Sequence, residues 1–216
     1  MTALYEEGGI KNKNHSGYSD KDNSTYRTMN ADPATILKHI KNSNYGDHNL
    51  VIYPGLKQFE EFYIECCKDS LLERSEIFIL VTYYQQVSAV RKKLHLSGID
   101  AARYENEGTL VILDSEMAYQ RNLEESTKYS IIILTTMLTK QVRARDKKGI
   151  TLLSDLGTFI LNNRIADLLS HELSMPSRFD SNIRPLCFYH NDDFNVLREE
   201  EKRRICSHHL NNLIVC

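Results

Sequence analysis

The residues best placed for chemistry follow a strongly apolar segment, Asn49–Tyr53, as Tyr53-Pro54-Gly55-Leu56-Lys57-Gln58. A nucleotide-binding α/β protein carries its phosphate loop at such a position. That loop needs several glycines so that successive N–H groups converge on the anion, then a Lys and a Ser or Thr for the metal. Here there is one glycine, Lys57 comes too early, and Gln58 stands where the hydroxyl should be. Two other segments, Leu110–Asp114 and Ile150–Asp155, end an apolar run on an Asp, as a magnesium-holding strand would. An Asp there is equally a helix N-cap, and without a phosphate loop a metal has little to neutralise. The expectation is a scaffold that neither hydrolyses nucleotides nor carries a cofactor.

Two further groupings invite chemistry. Ser170-His171-Glu172-Leu173-Ser174-Met175-Pro176 resembles the phosphoacceptor box of sensor histidine kinases, but too few residues follow for an ATP-binding partner domain. A His near a helix C-terminus, favoured by the dipole, is the simpler reading. Cys187, His190, Cys206, His208 and His209 suggest zinc, yet Cys-x2-His followed by Cys-x-His-His matches no standard ligand framework. Cys187 also falls within a buried-strand pattern, the ordinary place for a thiol, so no metal is expected. The run Arg198–Arg204 mixes both signs at helical spacing and reads as a solvated face.

The elements that must position these residues alternate. Strands are expected at Asn49–Tyr53, Ile77–Thr82, Thr109–Leu113, Ile150–Leu153, Leu186–Tyr189 and Leu213–Val215. Asp32-Pro33 opens a short helix to Asn42, with the Asp as cap and the Pro at the first helical position. Further helices are expected over Leu56–Arg74, Gln85–Ser97, Asn162–Leu173 and Asp193–His208. Ile131, Leu134, Leu138 and Val142 recur at helical steps, which favours a long helix running on to Lys148 over a strand at Ile131–Leu134. Alternating strands and helices imply an α/β fold of three layers, a mainly parallel sheet with helices on both faces. Residues 1–32, rich in Asn, Ser, Lys and Asp, read as a disordered polar tail, and residues 33–216 as one domain.

In such sheets ligands sit outside the carboxyl ends of the strands. Those ends deliver Tyr53 and Lys57, Tyr83 and Tyr84, Asp114, Asp155, and Tyr189 with His190. With Glu172 as a further polar contact, these nine residues form the expected ligand-binding set, an aromatic rim bearing a few acids. The 27 Lys and Arg against 29 Asp and Glu leave no electrostatic case for nucleic acid. Five cysteines without a CxxC pair suit a reducing compartment. No apolar stretch approaches the roughly 20 residues of a membrane helix, so a cytoplasmic protein is expected.

The segments His48-Asn49-Leu50-Val51-Ile52-Tyr53 and Arg184-Pro185-Leu186-Cys187-Phe188-Tyr189, with Tyr119 after the third strand and Glu172 late in a helix, resemble the MEDS domain from about Tyr45 onward. The resemblance implies a RecA/KaiC-like fold without a phosphate loop, a sensor of small organic molecules, and a separate histidine kinase or transcription regulator as partner. A homo-oligomer is compatible with it. His48, Tyr53, Glu172, Cys187 and Tyr189 are the positions it carries over. One departure is Leu153-Ser154-Asp155-Leu156-Gly157, where the family typically has a Gly-Glu-Met run. The alternatives are a nucleotide-binding ATPase with a degenerate loop and a protein-interaction adaptor.

Overall fold

The computed structural model describes residues 26–120 and 129–216. Its elements, in chain order, are β1 (Arg27–Ala31), α1 (Pro33–Asn42), β2 (Asn49–Tyr53), α2 (Leu56–Lys68), β3 (Ile77–Thr82), α3 (Val87–Leu96), α4 (Ala101–Asn106) and β4 (Leu110–Asp114). Then come α5 (Ser115–Ala118), α6 (Ser130–Gln141), β5 (Ile150–Asp155), α7 (Gly157–Leu161), α8 (Ile165–Ser174), β6 (Ile183–His190), α9 (Asn191–Val196), α10 (Glu199–His208) and β7 (Asn211–Val215). The strands form one sheet in the order β1-β7-β2-β6-β5-β3-β4, and every neighbouring pair is parallel.

Both sheet faces are covered, which explains why every residue of β2 and β3 is buried and why Leu50–Tyr53 and Ile77–Val81 are unbroken apolar runs. One face packs Val51, Tyr53, Phe78, Leu80 and Phe188 against Ile36, Ile40, Phe59, Phe62, Val90 and Leu94 of α1–α3. The other packs Leu50, Ile52, Ile79, Val81, Cys187 and Tyr189 against Ile131, Phe159, Leu168, Phe194 and Ile205 of the later helices. Cys66 and Cys67 are free and buried in α2, and burial pushes the Cys66 thiol up to about 12.

α1 begins as expected. Asp32 accepts from the N–H groups of Ala34 and Thr35 at 3.0 and 3.1 Å, with Pro33 at the first helical position. The spacing of Ile131 and Leu138 does make a helix, α6, but it stops at Gln141. A short 3-10 turn follows and Asp146 takes the left-handed conformation at φ 52°, which ends the run before Lys148. The helices expected over Asn162–Leu173 and Asp193–His208 each differ in their bounds: Asn163 has φ 54° between α7 and α8, and extended Leu197 separates α9 from α10. The segment read as a polar tail ends differently too. Arg27–Ala31 adds a parallel edge strand to β7, with Met29 and Ala31 packed on the core. Residues 1–25 of that segment lie outside the described residues.

The amino ends of β3, β5 and β6 surround a charged network. Arg184 has no exposed surface. It donates to Asp69 at 2.9 Å, to Thr151 at 2.9 Å and to the Ile40 carbonyl at 3.1 Å, and lies 3.4 Å from Glu76. Glu76 in turn accepts from Arg74 and Tyr45, both at 2.7 Å. A buried guanidinium must find such partners, because leaving it unpaired in low dielectric costs several kcal/mol.

Candidate functional site: a polar edge, a buried ligand cluster and a cavity

The carboxyl edge of the sheet gathers part of the expected set. Tyr53 ends β2 directly beside His190 of β6, and their rings meet edge-on at 5.4 Å. Tyr84 lies 5.7 Å from the same imidazole and donates a very short hydrogen bond to Asp193. Asp155 is fully buried and accepts from the backbone N–H groups of Tyr83 at 3.2 Å and Gly157 at 3.1 Å. Burial raises its carboxyl to about 6 despite those bonds. Gly157 leaves these rings room: a Cβ there would stand 3.0 and 3.1 Å from the rings of Tyr84 and Tyr83, close enough that they would have to shift. Among the described residues the buried Tyr53 hydroxyl has no hydrogen-bond partner, and burial holds its pKa far above the usual phenol range.

Four of the nine residues lie apart from this group. Lys57 is 82% exposed on α2, 3.9 Å from Glu61. Only Pro54 and Gly55 separate β2 from α2. Asp114 caps α5 by accepting from Glu116 N–H at 2.8 Å. Tyr189 faces the opposite side of the sheet from Tyr53, because neighbours along a strand alternate, and its hydroxyl donates to Glu172 Oε1 at 2.5 Å.

That Tyr189–Glu172 pair belongs to a second, wholly buried cluster. His48, Glu172, Cys187 and His209 bring one nitrogen, oxygen or sulfur atom each to within 4.8 Å of one another. His48 Nε2 lies 3.3 Å from Cys187 Sγ, and His209 Nε2 lies 3.4 Å from Glu172 Oε2. Each residue comes from a different segment. His48 precedes β2, where Gly46, at φ 87°, turns the chain tightly against the Phe179 carbonyl. Glu172 lies in the last turn of α8, Cys187 in mid β6, and His209 caps α10. Burial raises Glu172 to about 7 and lowers His209 to about 4. It also drives the Cys187 thiol well above, and the His48 imidazole well below, their usual values. Burial thus favours the neutral form of all four groups.

Cys187 also lines a cavity of about 420 Å³ between α6 and the β5–β6 face. Ile131, Ile132, Leu152, Ile183 and Pro185 give it apolar walls, and Met175, Pro176 and Phe179 close one side. The hydroxyls of Thr135, Thr136 and Thr139 donate to helix carbonyls one turn back, at 2.7–2.8 Å, and so present little free polarity. His171 reaches the same cavity from within a box of Tyr119, Tyr129 and Phe159, at ring distances of 5.0, 5.1 and 5.8 Å. It is 3% exposed, with burial lowering it to about 4.

Sequence reasoning reached His48, Glu172, Cys187 and Tyr189 through the family pattern, and His209 through its neighbourhood of Cys and His. It did not join them. His190, Cys206 and His208, considered with Cys187 and His209, do not belong to the four-residue cluster. The cavity had no local signal beyond the apolar face of α6.

A family model for the MEDS domain, described as a methanogen/methylotroph, DcmR sensory domain, matches residues 47–209. No curated protein matches the chain. A KaiC-like protein from the hyperthermophilic archaeon Pyrococcus horikoshii OT3 is 14% identical, over 77% of this chain and 71% of that one, with a TM-score of 0.47. Among the described residues no helix is long and apolar enough to cross a membrane. With three quarters of its length inside the family model, and with His48, Glu172, Cys187 and Tyr189 gathered at one place in its fold, this chain belongs to the MEDS sensory-domain family.

Proposed function

We propose that this chain is a non-catalytic sensor that binds a small organic molecule in the cavity under α6 and passes the signal to a separate histidine kinase or transcription regulator. The observation that carries the reading is the cavity itself. At about 420 Å³ it falls in the size range of small-molecule pockets, and its walls are largely apolar, with His171, Cys187 and the hydroxyls of Ser154, Ser174 and Ser181 among the polar groups that line it. A compact, weakly polar organic molecule fits that lining, whereas a nucleotide would bring several negative charges against the one Lys, Lys140, among its lining residues. Binding would press on α6 and on the Met175–Phe179 segment, which gives an occupied cavity a route to the surface.

The test is a fragment screen by NMR with apolar organic molecules of roughly ten heavy atoms or fewer. Hits should perturb Ile131, Thr135 and Ile183. Thr139→Phe, which fills the cavity from a partly exposed position, should abolish those shifts while keeping the fold. Hits that bind Thr139→Phe as well as the wild type, or that map only to the outer helical faces, would overturn the pocket assignment and favour an adaptor.

A further inference from the structure

The four buried groups beside the cavity are badly matched as a hydrogen-bond network. Glu172 Oε2 and His209 Nε2 face each other at 3.4 Å, and among the described residues the one further group within reach of the Glu172 carboxyl on this side is the Cys187 thiol. His209 Nδ1 donates to the Ile205 carbonyl at 2.8 Å, so the proton sits on that side and Nε2 presents a bare lone pair. Glu172 Oε1 is occupied by the Tyr189 hydroxyl, which turns Oε2 toward the same point. One nitrogen, oxygen or sulfur atom from each of four buried residues converges on a single solvent-free point, an arrangement that one cation can satisfy at once.

We propose that His48, Glu172, Cys187 and His209 bind a single divalent transition-metal ion, with zinc the best match to the donor set. Two imidazoles, one thiolate and one carboxylate are donors that zinc accepts in tetrahedral geometry. Metal–ligand bonds of about 2.0–2.3 Å separate tetrahedral ligands by about 3.3–3.8 Å. The 3.3 and 3.4 Å pairs already meet that spacing, and the widest separation of 4.8 Å closes by about 1 Å through side-chain rotation. The Ile205 carbonyl and the Tyr189 hydroxyl are the outer partners that orient ligands in metal sites. Binding displaces the thiol proton of Cys187 and any proton on Glu172, leaving the 2+ ion offset by two anions. The ion ties four segments, from the start of β2 to the end of α10, at the wall of the cavity. This assignment stands independently of what the cavity binds.

The experiment uses the full chain, stripped with a chelator and titrated with Co²⁺ and then Zn²⁺. One equivalent of cobalt should bind with a tetrahedral visible spectrum and a near-ultraviolet thiolate-to-cobalt band, and zinc should displace it. Cys187→Ser should lose the thiolate band and bind roughly tenfold or more weakly, while Cys206→Ser keeps both. X-ray absorption on the wild-type zinc protein should show one sulfur and otherwise nitrogen and oxygen ligands. That measurement decides the matter even if Cys187→Ser does not fold. A wild type that stays folded but takes up no stoichiometric cobalt or zinc would overturn the proposal, as would a sulfur-free metal shell or a thiolate band that survives in Cys187→Ser.

Discussion

Arg184 and Glu76 meet in the interior 3.4 Å apart, and neither side chain has any exposed surface. The pair joins the end of α1 to the starts of β3 and β6, and Asp69, Thr151, Arg74 and Tyr45 complete its hydrogen bonds. Removing one partner strands the other. Arg184→Met is expected to cost about 3–5 kcal/mol in urea unfolding, and the Arg184→Met/Glu76→Leu double variant should recover part of that loss. A single variant within about 0.5 kcal/mol of wild type would show that the network contributes no net stability.

Asp155 predicts a pH dependence. Its folded pKa of about 6 lies above the ordinary 3.8, so folding favours the protonated form. The stabilisation from that form is complete below pH 3.8 and is lost as pH rises through 6. A shift of about two units corresponds to roughly 3 kcal/mol. Asp155→Asn keeps an acceptor for the Tyr83 or Gly157 N–H and carries no charge. Its melting temperature relative to wild type should therefore climb between pH 4 and pH 7. A constant difference over that range would refute the assignment.

Lys57 should be dispensable. It is exposed and pairs only loosely with Glu61, and the turn before it has a single glycine. Millimolar ATP with magnesium is expected to leave the melting temperature unchanged in both wild type and Lys57→Ala. A rise of several degrees in the wild type that Lys57→Ala abolishes would instead mark a working nucleotide site.

The amino-terminal boundary can be set by truncation. Removing residues 1–25 is expected to leave the melt unchanged, because that stretch lacks apolar anchors after Ile10. Removing residues 1–31 also deletes β1, exposes the β7 edge and uncovers the surface beneath Met29 and Ala31. That should cost about 1–3 kcal/mol. Equal melts for the two truncations would show that β1 adds nothing.

The parts of this fold legible in the sequence are those with local causes. Asn49–Tyr53 and Ile77–Thr82 were readable to the residue because burial on both faces demands continuous apolar, branched side chains. The start of α1 was readable because Asp32-Pro33 is a cap with its own chemistry. β1 was not, since a strand paired on one edge and half exposed tolerates Arg27, Thr28 and Asn30, a composition shared with loops. The buried network of Arg184 was not legible either, because nothing near it in sequence announces that Asp69 and Glu76 arrive from other elements. The same limit applies to the cluster of four. His48 and His209 are separated by nearly the whole domain, and only the placement of β7 beside β2 brings them to a ring distance of 4.0 Å.

Strand β6 acts as a partition. Cys187 and Tyr189 project into the layer that holds the cluster and cavity, while Leu186 and Phe188 project into the core under α1 and α2. Consecutive residues therefore answer to different demands. Substitutions at Leu186 and Phe188 alter the core under α1 and α2, and those at Cys187 and Tyr189 alter the buried cluster on the other face. Inserting or deleting one residue would exchange the two sets, sending aromatic bulk into the cavity and polar ligands into the hydrocarbon core. In this chain the chemistry of one layer can thus change by point substitution in β6, but the strand's length is fixed by the need to keep both layers in phase.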